Sequence, residues 1–179
     1  MHEIIIMGIS CVLALLNAPE KSQLTLTSSA FSDGTSIPTK YANIGVSGGK
    51  NISPPLKWYG VPAGTKSFAI SIIDVHPIAS NWIHWMVIDL PKTVTALPEG
   101  ASGKNIPEGS KELDNSFGKL GYGGPQPPPG SGSHPYLITL YALNVEKLGL
   151  KQSTPFKEFR KALVGKILGE VRLIGMYER

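Results

Sequence analysis

Lys66-Ser67-Phe68-Ala69-Ile70-Ser71-Ile72-Ile73 is the stretch that decides the fold class. In an extended chain successive side chains point to opposite sides, so Phe68, Ile70 and Ile72 share one face and Ala69, Ser71 and Ile73 the other. Both faces are largely apolar, the pattern of a strand covered on both sides. Two further runs read the same way. Trp82 to Leu90 places His84, Met86 and Ile88 together, and Tyr136 to Val145 sets Tyr136, Ile138, Leu140 and Ala142 opposite Leu137, Thr139, Tyr141 and Leu143. These three strands are expected to form the interior of a sheet. Nearer the start, Leu24-Thr25-Leu26-Thr27 alternates as well and adds a shorter strand.

Outward from these strands the chain is polar and rich in turn residues. Its 20 glycines and 15 prolines are about a fifth of the 179 residues, against roughly 12% in an average protein, while the apolar fraction of 41% is ordinary. That combination predicts turn-rich β structure around one core, for which the length suffices. Long polar segments run over Ser32 to Pro55, Pro91 to Leu113 and Asn115 to Pro135. The last has the composition of a linker, but strong strands flank it within one core, so it is expected to be an ordered loop. Helix is predicted only late: Ser153 or Thr154 can cap, Pro155 fits the first helical position, and Phe156, Phe159 and Leu163 recur at helical spacing. A second helical stretch is predicted from Ala162 to about Glu170, and Val171 to Tyr177 returns to alternation as a closing strand.

The first eighteen residues stand apart. An apolar run from Ile4 to Leu16, too short to span a bilayer comfortably, matches a secretory signal with a cut after Ala18, leaving a domain over residues 19–179. Export to the periplasm follows from that reading; a first strand or a disordered arm, and a cytoplasmic protein, are the alternatives. Cys11 is the one cysteine, so the exported chain would hold no disulfide. The net charge of +4 and a pI near 9.1 permit contact with anionic partners. The basic residues are scattered without a run, and neither aromatic stripes nor basic helices accompany them, which argues against nucleic acid.

Three ionisable residues fall at strand ends beside loops: Asp74, His84 and His134. An aspartate with two histidines suits anion recognition, metal ligation or acid–base catalysis. Metal ligation is the weakest of these, because the spacing lacks the short paired arrangement of a zinc site. Nucleophilic hydrolysis lacks a Gly-x-Ser-x-Gly turn. Each histidine alone could equally be a hydrogen-bonded structural imidazole.

Six stretches, in order and spacing, resemble the phosphatidylethanolamine-binding protein family and its bacterial Raf-kinase-inhibitor-like branch. They are Asn51-Ile52-Ser53-Pro54-Pro55-Leu56 with Trp58; Val61 to Ala69; Asp74 to Pro77 with Trp82-Ile83-His84-Trp85; Asn115-Ser116-Phe117-Gly118 with Gly121 to Pro125; Pro127 to Gly130 through His134 and Tyr136; and Leu168-Gly169-Glu170 with Gly175 to Arg179. The resemblance implies a mostly β fold, a β-sandwich with a large antiparallel central sheet, a smaller second sheet and C-terminal helices. It also implies a pocket for phosphate-bearing or carboxylate-bearing ligands such as phosphate or phosphoethanolamine. Asp74, His84 and His134 fall in that pocket, with Pro77, Trp82, Gly124, Pro128 and Tyr136 as walls and Tyr177 contributing from the C-terminus.

Departures from the family pattern bear on pocket charge. Asp74-Val75-His76-Pro77 stands where an Asp-Pro-Asp-Ala-Pro run is usual, with His76 in place of the second aspartate. Gln126 stands for a cysteine common in bacterial relatives, Pro135 for an arginine and Ser116 for an aspartate. The expected protein is a non-enzymatic binding module without metal or cofactor, whose two histidines donate to an anionic headgroup while Asp74 orients an imidazole. Its affinity is expected in the micromolar-to-millimolar range. The alternatives are a protease or kinase inhibitor acting through its loops, and a hydrolase of small esters. Contact with membrane headgroups fits the first reading and does not require embedding.

Overall fold

The computed structural model describes residues 23–179; the expected signal over residues 1–18 lies outside them. Nine strands and one α-helix follow in chain order: β1 (Thr25–Thr27), β2 (Thr35–Ser36), β3 (Leu56–Tyr59), β4 (Ser67–Asp74), β5 (Trp82–Pro91), β6 (Ala96–Leu97), β7 (Lys111–Glu112), β8 (His134–Leu143), α1 (Phe156–Leu163) and β9 (Ile167–Tyr177). The large sheet has the order β2-β9-β8-β4-β5-β7 and the small one β1-β3-β6. All pairings are antiparallel except β2 with β9. The three strands expected inside the sheet, β8, β4 and β5, are adjacent and central, and every residue of β4 is buried.

Each face of the large sheet needs a cover, and the cover differs. Phe68, Ile70 and Ile72 of β4 with Ile138 and Leu140 of β8 pack against Leu26, Leu56, Trp58 and Leu97 of the small sheet. The Trp58 and Phe68 rings meet edge to face at 5.4 Å. On the other side Ala69, Ile73, Met86, Ile88 and Tyr141 bury Phe159 and Leu163 of α1.

Two β-bulges break the period of β5. Opposite β4, Ile72 pairs with Trp85 but Ile73 pairs with Ile83, so His84 is the extra residue; a second irregularity between Phe68 and Ile70 accommodates Asp89, whose φ is 60°. A bulge turns the side chains on either side of it to opposite faces. Ile83 therefore joins the helix-side cluster and Trp85 the small-sheet cluster, although they are two residues apart. This corrects the grouping of His84 with Met86 and Ile88: those two face α1, whereas His84 turns toward Tyr136 on the other side.

The C-terminal part departs from expectation. Pro155 occupies the N-cap of α1 rather than its first turn, and no side chain of Ser153 or Thr154 caps it. The second helix expected over Ala162 to Glu170 is not formed; α1 is the one α-helix among the described residues, and β9 begins at Ile167. Gly165, at φ 73°, takes a left-handed turn that ends the helical path. The free edge of β8 then supplies a full ladder, with Leu143 opposite Ile167 and Ala142 opposite Gly169. A long ladder on a buried strand outweighs the helical propensity of a short segment.

Candidate functional site

β4, β5 and β8 end together, and their terminal residues form the floor of a cavity of about 690 Å³. Asp74 closes β4, His84 sits in the β5 bulge, and His134 and Tyr136 open β8. Ladder register brings them together, since Asp74 lies opposite both Tyr136 and Trp82. The floor is buried, with Asp74 3%, His84 2%, His134 1% and Tyr136 1% exposed.

Asp74 accepts on both oxygens. Oδ1 takes the His76 backbone N–H at 2.9 Å, and Oδ2 lies 2.6 Å from His134 Nδ1. A carboxylate facing an imidazole nitrogen orders the ring, and Nδ1–H is the donor. At the other nitrogen, Ser131 Oγ lies 2.9 Å from Nε2 and 2.6 Å from the Pro128 carbonyl oxygen. One hydroxyl proton cannot serve both acceptors. The carbonyl is nearer and can only accept, and the roles of Ser131 Oγ and His134 Nε2 toward one another follow the tautomer of the ring. The order Ser131–His134–Asp74 resembles an acyl-transfer relay, but Ser131 lies outside the cavity lining.

His84 is held differently. Its Nδ1 donates to the Gly123 carbonyl at 2.5 Å, and Gly123 N–H donates back to the His84 carbonyl at 2.8 Å. The ring packs edge to face on Tyr136 at 5.0 Å and Phe117 at 5.6 Å. Burial pulls this imidazole down from 6.5 to about 4, outweighing the upward pull of the Gly123 carbonyl and the Asp74 charge. The Tyr136 hydroxyl is buried with no partner at ideal hydrogen-bond geometry, and the Asp74 carboxylate lies close enough to act on it. Burial first, then the charge of Asp74, raises its pKa well above the ordinary tyrosine value.

Loops build the rim. The backbone of Asn51, itself left-handed at φ 53°, aims a side chain that accepts from Gly124 N–H at 2.7 Å and donates to the Tyr122 carbonyl at 3.1 Å. Asn115 donates to the Gly121 carbonyl at 2.8 Å. These bonds account for the ordered loop expected over Asn115 to Pro135. Gly124 is required at its position because a Cβ there would overlap the Tyr41 carbonyl oxygen. On the opposite wall Ser80 and Asn81 are both left-handed, at φ 50° and 60°. Such strain in consecutive non-glycine residues is characteristic of functional loops.

Of the nine residues expected in the pocket, Asp74, Trp82, His84, Pro128, His134 and Tyr136 line the cavity. Pro77, Gly124 and Tyr177 do not. Pro77 starts a 3-10 turn whose later residues Ile78 and Ala79 form the wall, Gly124 backs onto residues 41–43, and Tyr177 lies in the core beside Phe31 and Ile37. Sequence reasoning missed Ile78, Asn81, Phe117 and Arg179 as lining residues. The Asn115-Ser116-Phe117-Gly118 and Tyr177-Glu178-Arg179 stretches were available signals for two of them.

The departures also find places. Ser116 Oγ accepts from Ile83 N–H at 2.8 Å, and its own N–H donates to the Ile83 carbonyl at 2.9 Å, so it ties the loop to β5. Gln126 lines the cavity. Pro135 removes a cation from β8, and Arg179 brings one to the cavity from beyond β9. His76 stacks on His134 with centroids 3.9 Å apart and planes 17° apart, outside the lining.

A β-sandwich whose central strands end in a buried Asp–His pair beneath a loop-built cavity is a small-ligand-binding architecture. The sequence model of the phosphatidylethanolamine-binding protein family matches residues 27–178. An UPF0098 protein of Aquifex aeolicus is 40% identical over 154 residues, covering 85% of this chain and 86% of that one. The crystal structure of YbcL from Escherichia coli, described as a member of the mammalian family, superposes with a TM-score of 0.82 at 34% identity, covering 88% of this chain and 99% of that one. CT736 from Chlamydia trachomatis, described as a homologue of the family, gives 0.76 at 35% identity, with 88% and 99% coverage. The chain belongs to the phosphatidylethanolamine-binding protein family.

Proposed function

We propose that the protein is a non-enzymatic binding protein that holds a small phosphate-bearing anion in this cavity. The observation that carries the reading is a cavity with a buried polar floor of Asp74, His84, His134 and Tyr136 that Gln126 and Arg179 also line. The Arg179 guanidinium and the Gln126 amide are further donors suited to a phosphate. The roles of the histidines differ from those expected. His134 is committed to Asp74 and Ser131, and His84 Nδ1 to Gly123, so they shape the floor instead of both donating to the anion.

Titration of the full chain with phosphate and phosphoethanolamine, followed by NMR, tests this. Shifts concentrated at Tyr136, His84, Gln126 and Arg179 are expected. Silence there would refute it, and turnover of p-nitrophenyl acetate or phosphate that disappears in Ser131→Ala would replace it with the hydrolase reading.

A protein-partner reading has one observation in its favour: Ile78 and Trp82 stand 58% and 40% exposed on the cavity rim. A protease or kinase partner docking there would lose affinity in a Trp82→Ala, Ile78→Ser double variant. Export rests on the apolar run of residues 4–16; a Mycobacterium tuberculosis relative, 33% identical over 161 residues, bears a name describing it as a candidate lipoprotein. Fractionation of cells expressing the full chain decides it.

A further inference from the structure

The wall of the cavity that leads into Trp82 is a short turn with little to hold it. Residues 77–79 form one 3-10 turn of which no residue is buried, and Ile78 stands 58% exposed. Ser80 and Asn81 follow in left-handed backbone that favours glycine. Polar contacts and one ring stack fasten the segment, and all of them pass through His76. Its N–H donates to Asp74 Oδ1 at 2.9 Å, its carbonyl accepts from Ala79 N–H at 2.9 Å, and its Nδ1 accepts from Ile78 N–H at 3.4 Å. The ring then lies nearly flat on that of His134, with centroids 3.9 Å apart.

An Nδ1 that accepts carries no proton, so the ring in this arrangement is neutral with its hydrogen on Nε2. A second proton would go to Nδ1, where it would confront the Ile78 N–H and end that bond. The same proton would charge a ring stacked on His134. The groups that face the stack are Asp74 from β4 and His134 from β8, while His84 of β5 and Arg179 beyond β9 line the same cavity. Asp74 is the one carboxylate among these, and both its oxygens are engaged, Oδ2 by His134 Nδ1 at 2.6 Å and Oδ1 by the backbone. It can balance one imidazolium. Two stacked imidazolium rings would leave one positive charge uncompensated, at a separation where like charges repel by several times the thermal energy.

We propose that the turn over residues 76–81 is an acid-released latch on the cavity wall, closed while His76 is neutral and freed when its ring takes a proton at Nδ1. An aspartate in this position would cap the same turn throughout the window in which histidine changes charge, about pH 5 to 8. His76 makes the fastening depend on pH. Release lets the left-handed residues relax and opens the wall beside Asp74 and Trp82, so a bound molecule enters and leaves faster in acid.

Nitrogen relaxation of the full chain without ligand, from about pH 8 to about pH 5, tests the latch. Order parameters of residues 76–81 should fall from about 0.85, the value of rigid backbone, to below about 0.6, while those of β4, β5 and β8 hold. The imidazole nitrogen shifts of His76, His84 and His134, followed in the same samples, should place the loosening at the turnover of His76. In His76→Asn, whose amide oxygen can cap the turn and does not titrate, the segment should stay rigid throughout. An unsubstituted chain as rigid at the acid end as at the other would overturn the proposal. So would loosening that tracks His84 or His134, that spreads through the strands, or that persists in His76→Asn. No ligand enters the titration, so its outcome is independent of the anion-binding reading.

Discussion

The floor and the rim of the cavity are built by different means. Asp74, His84, His134 and Tyr136 stand on three hydrogen-bonded strands, and their mutual positions follow from ladder register and one bulge. Ser80, Asn81, Gln126 and Arg179 stand on loops and a chain end, held by side-chain clamps and left-handed turns. The floor therefore carries stability and, on the proposed reading, recognition, whereas parts of the rim can change with little effect on the fold. A site of this kind can keep its chemistry while its outer selectivity varies.

The comparison breaks if floor substitutions are cheap. Asp74→Ala should cost the most, about 2–4 kcal/mol, because it leaves the buried His134 Nδ1–H and the His76 N–H without their acceptor; urea unfolding measures it, and a loss under about 1 kcal/mol would show that the pair is not the keystone of the floor. Acid should act next. The His84 ring is neutral in the fold down to about 4 but titrates at 6.5 when unfolded, so the unfolded chain binds the extra proton between those values. Stability accordingly falls as pH drops from 6.5 to 4, by on the order of 3 kcal/mol for this group. Melting temperatures across that window should flatten in His84→Gln.

Rim substitutions sharpen the contrast. Gly124→Ala should shift the loop away from the Tyr41 carbonyl at a cost of about 1–3 kcal/mol, visible as a lower urea midpoint with an unchanged slope. Arg179→Ala should have the smallest structural effect, within about 0.5 kcal/mol, yet weaken phosphate binding by about tenfold. Unaltered phosphate affinity would remove Arg179 from the site.

The legibility of the molecule follows the same division. β4, β8 and the outward alternation of β1 are readable because a period of two is a property of neighbouring residues. α1 is readable for the same reason at the helical period, while the start of β9 is not, since Ile167 to Glu170 extend only because the edge of β8 is free to receive them. In the site, Asp74, His84 and His134 were visible as ionisable residues at strand ends. The Tyr177-Glu178-Arg179 stretch marked the neighbourhood of Arg179 but not its approach to the cavity, which depends on how β9 runs beside β8, over forty residues away in sequence.

From the sequence alone came the strand-rich class, the central strands and the family resemblance, all of which rest on local periodicity and ordered short motifs. The tertiary structure decided which way His84 faces, which of its nitrogens is occupied, and that Pro77, Gly124 and Tyr177 support the cavity without lining it. A bulge reverses a side chain without altering composition, and a hydrogen bond to a carbonyl 39 residues away sets a tautomer. Both depend on pairing between distant segments, which only folding brings into contact.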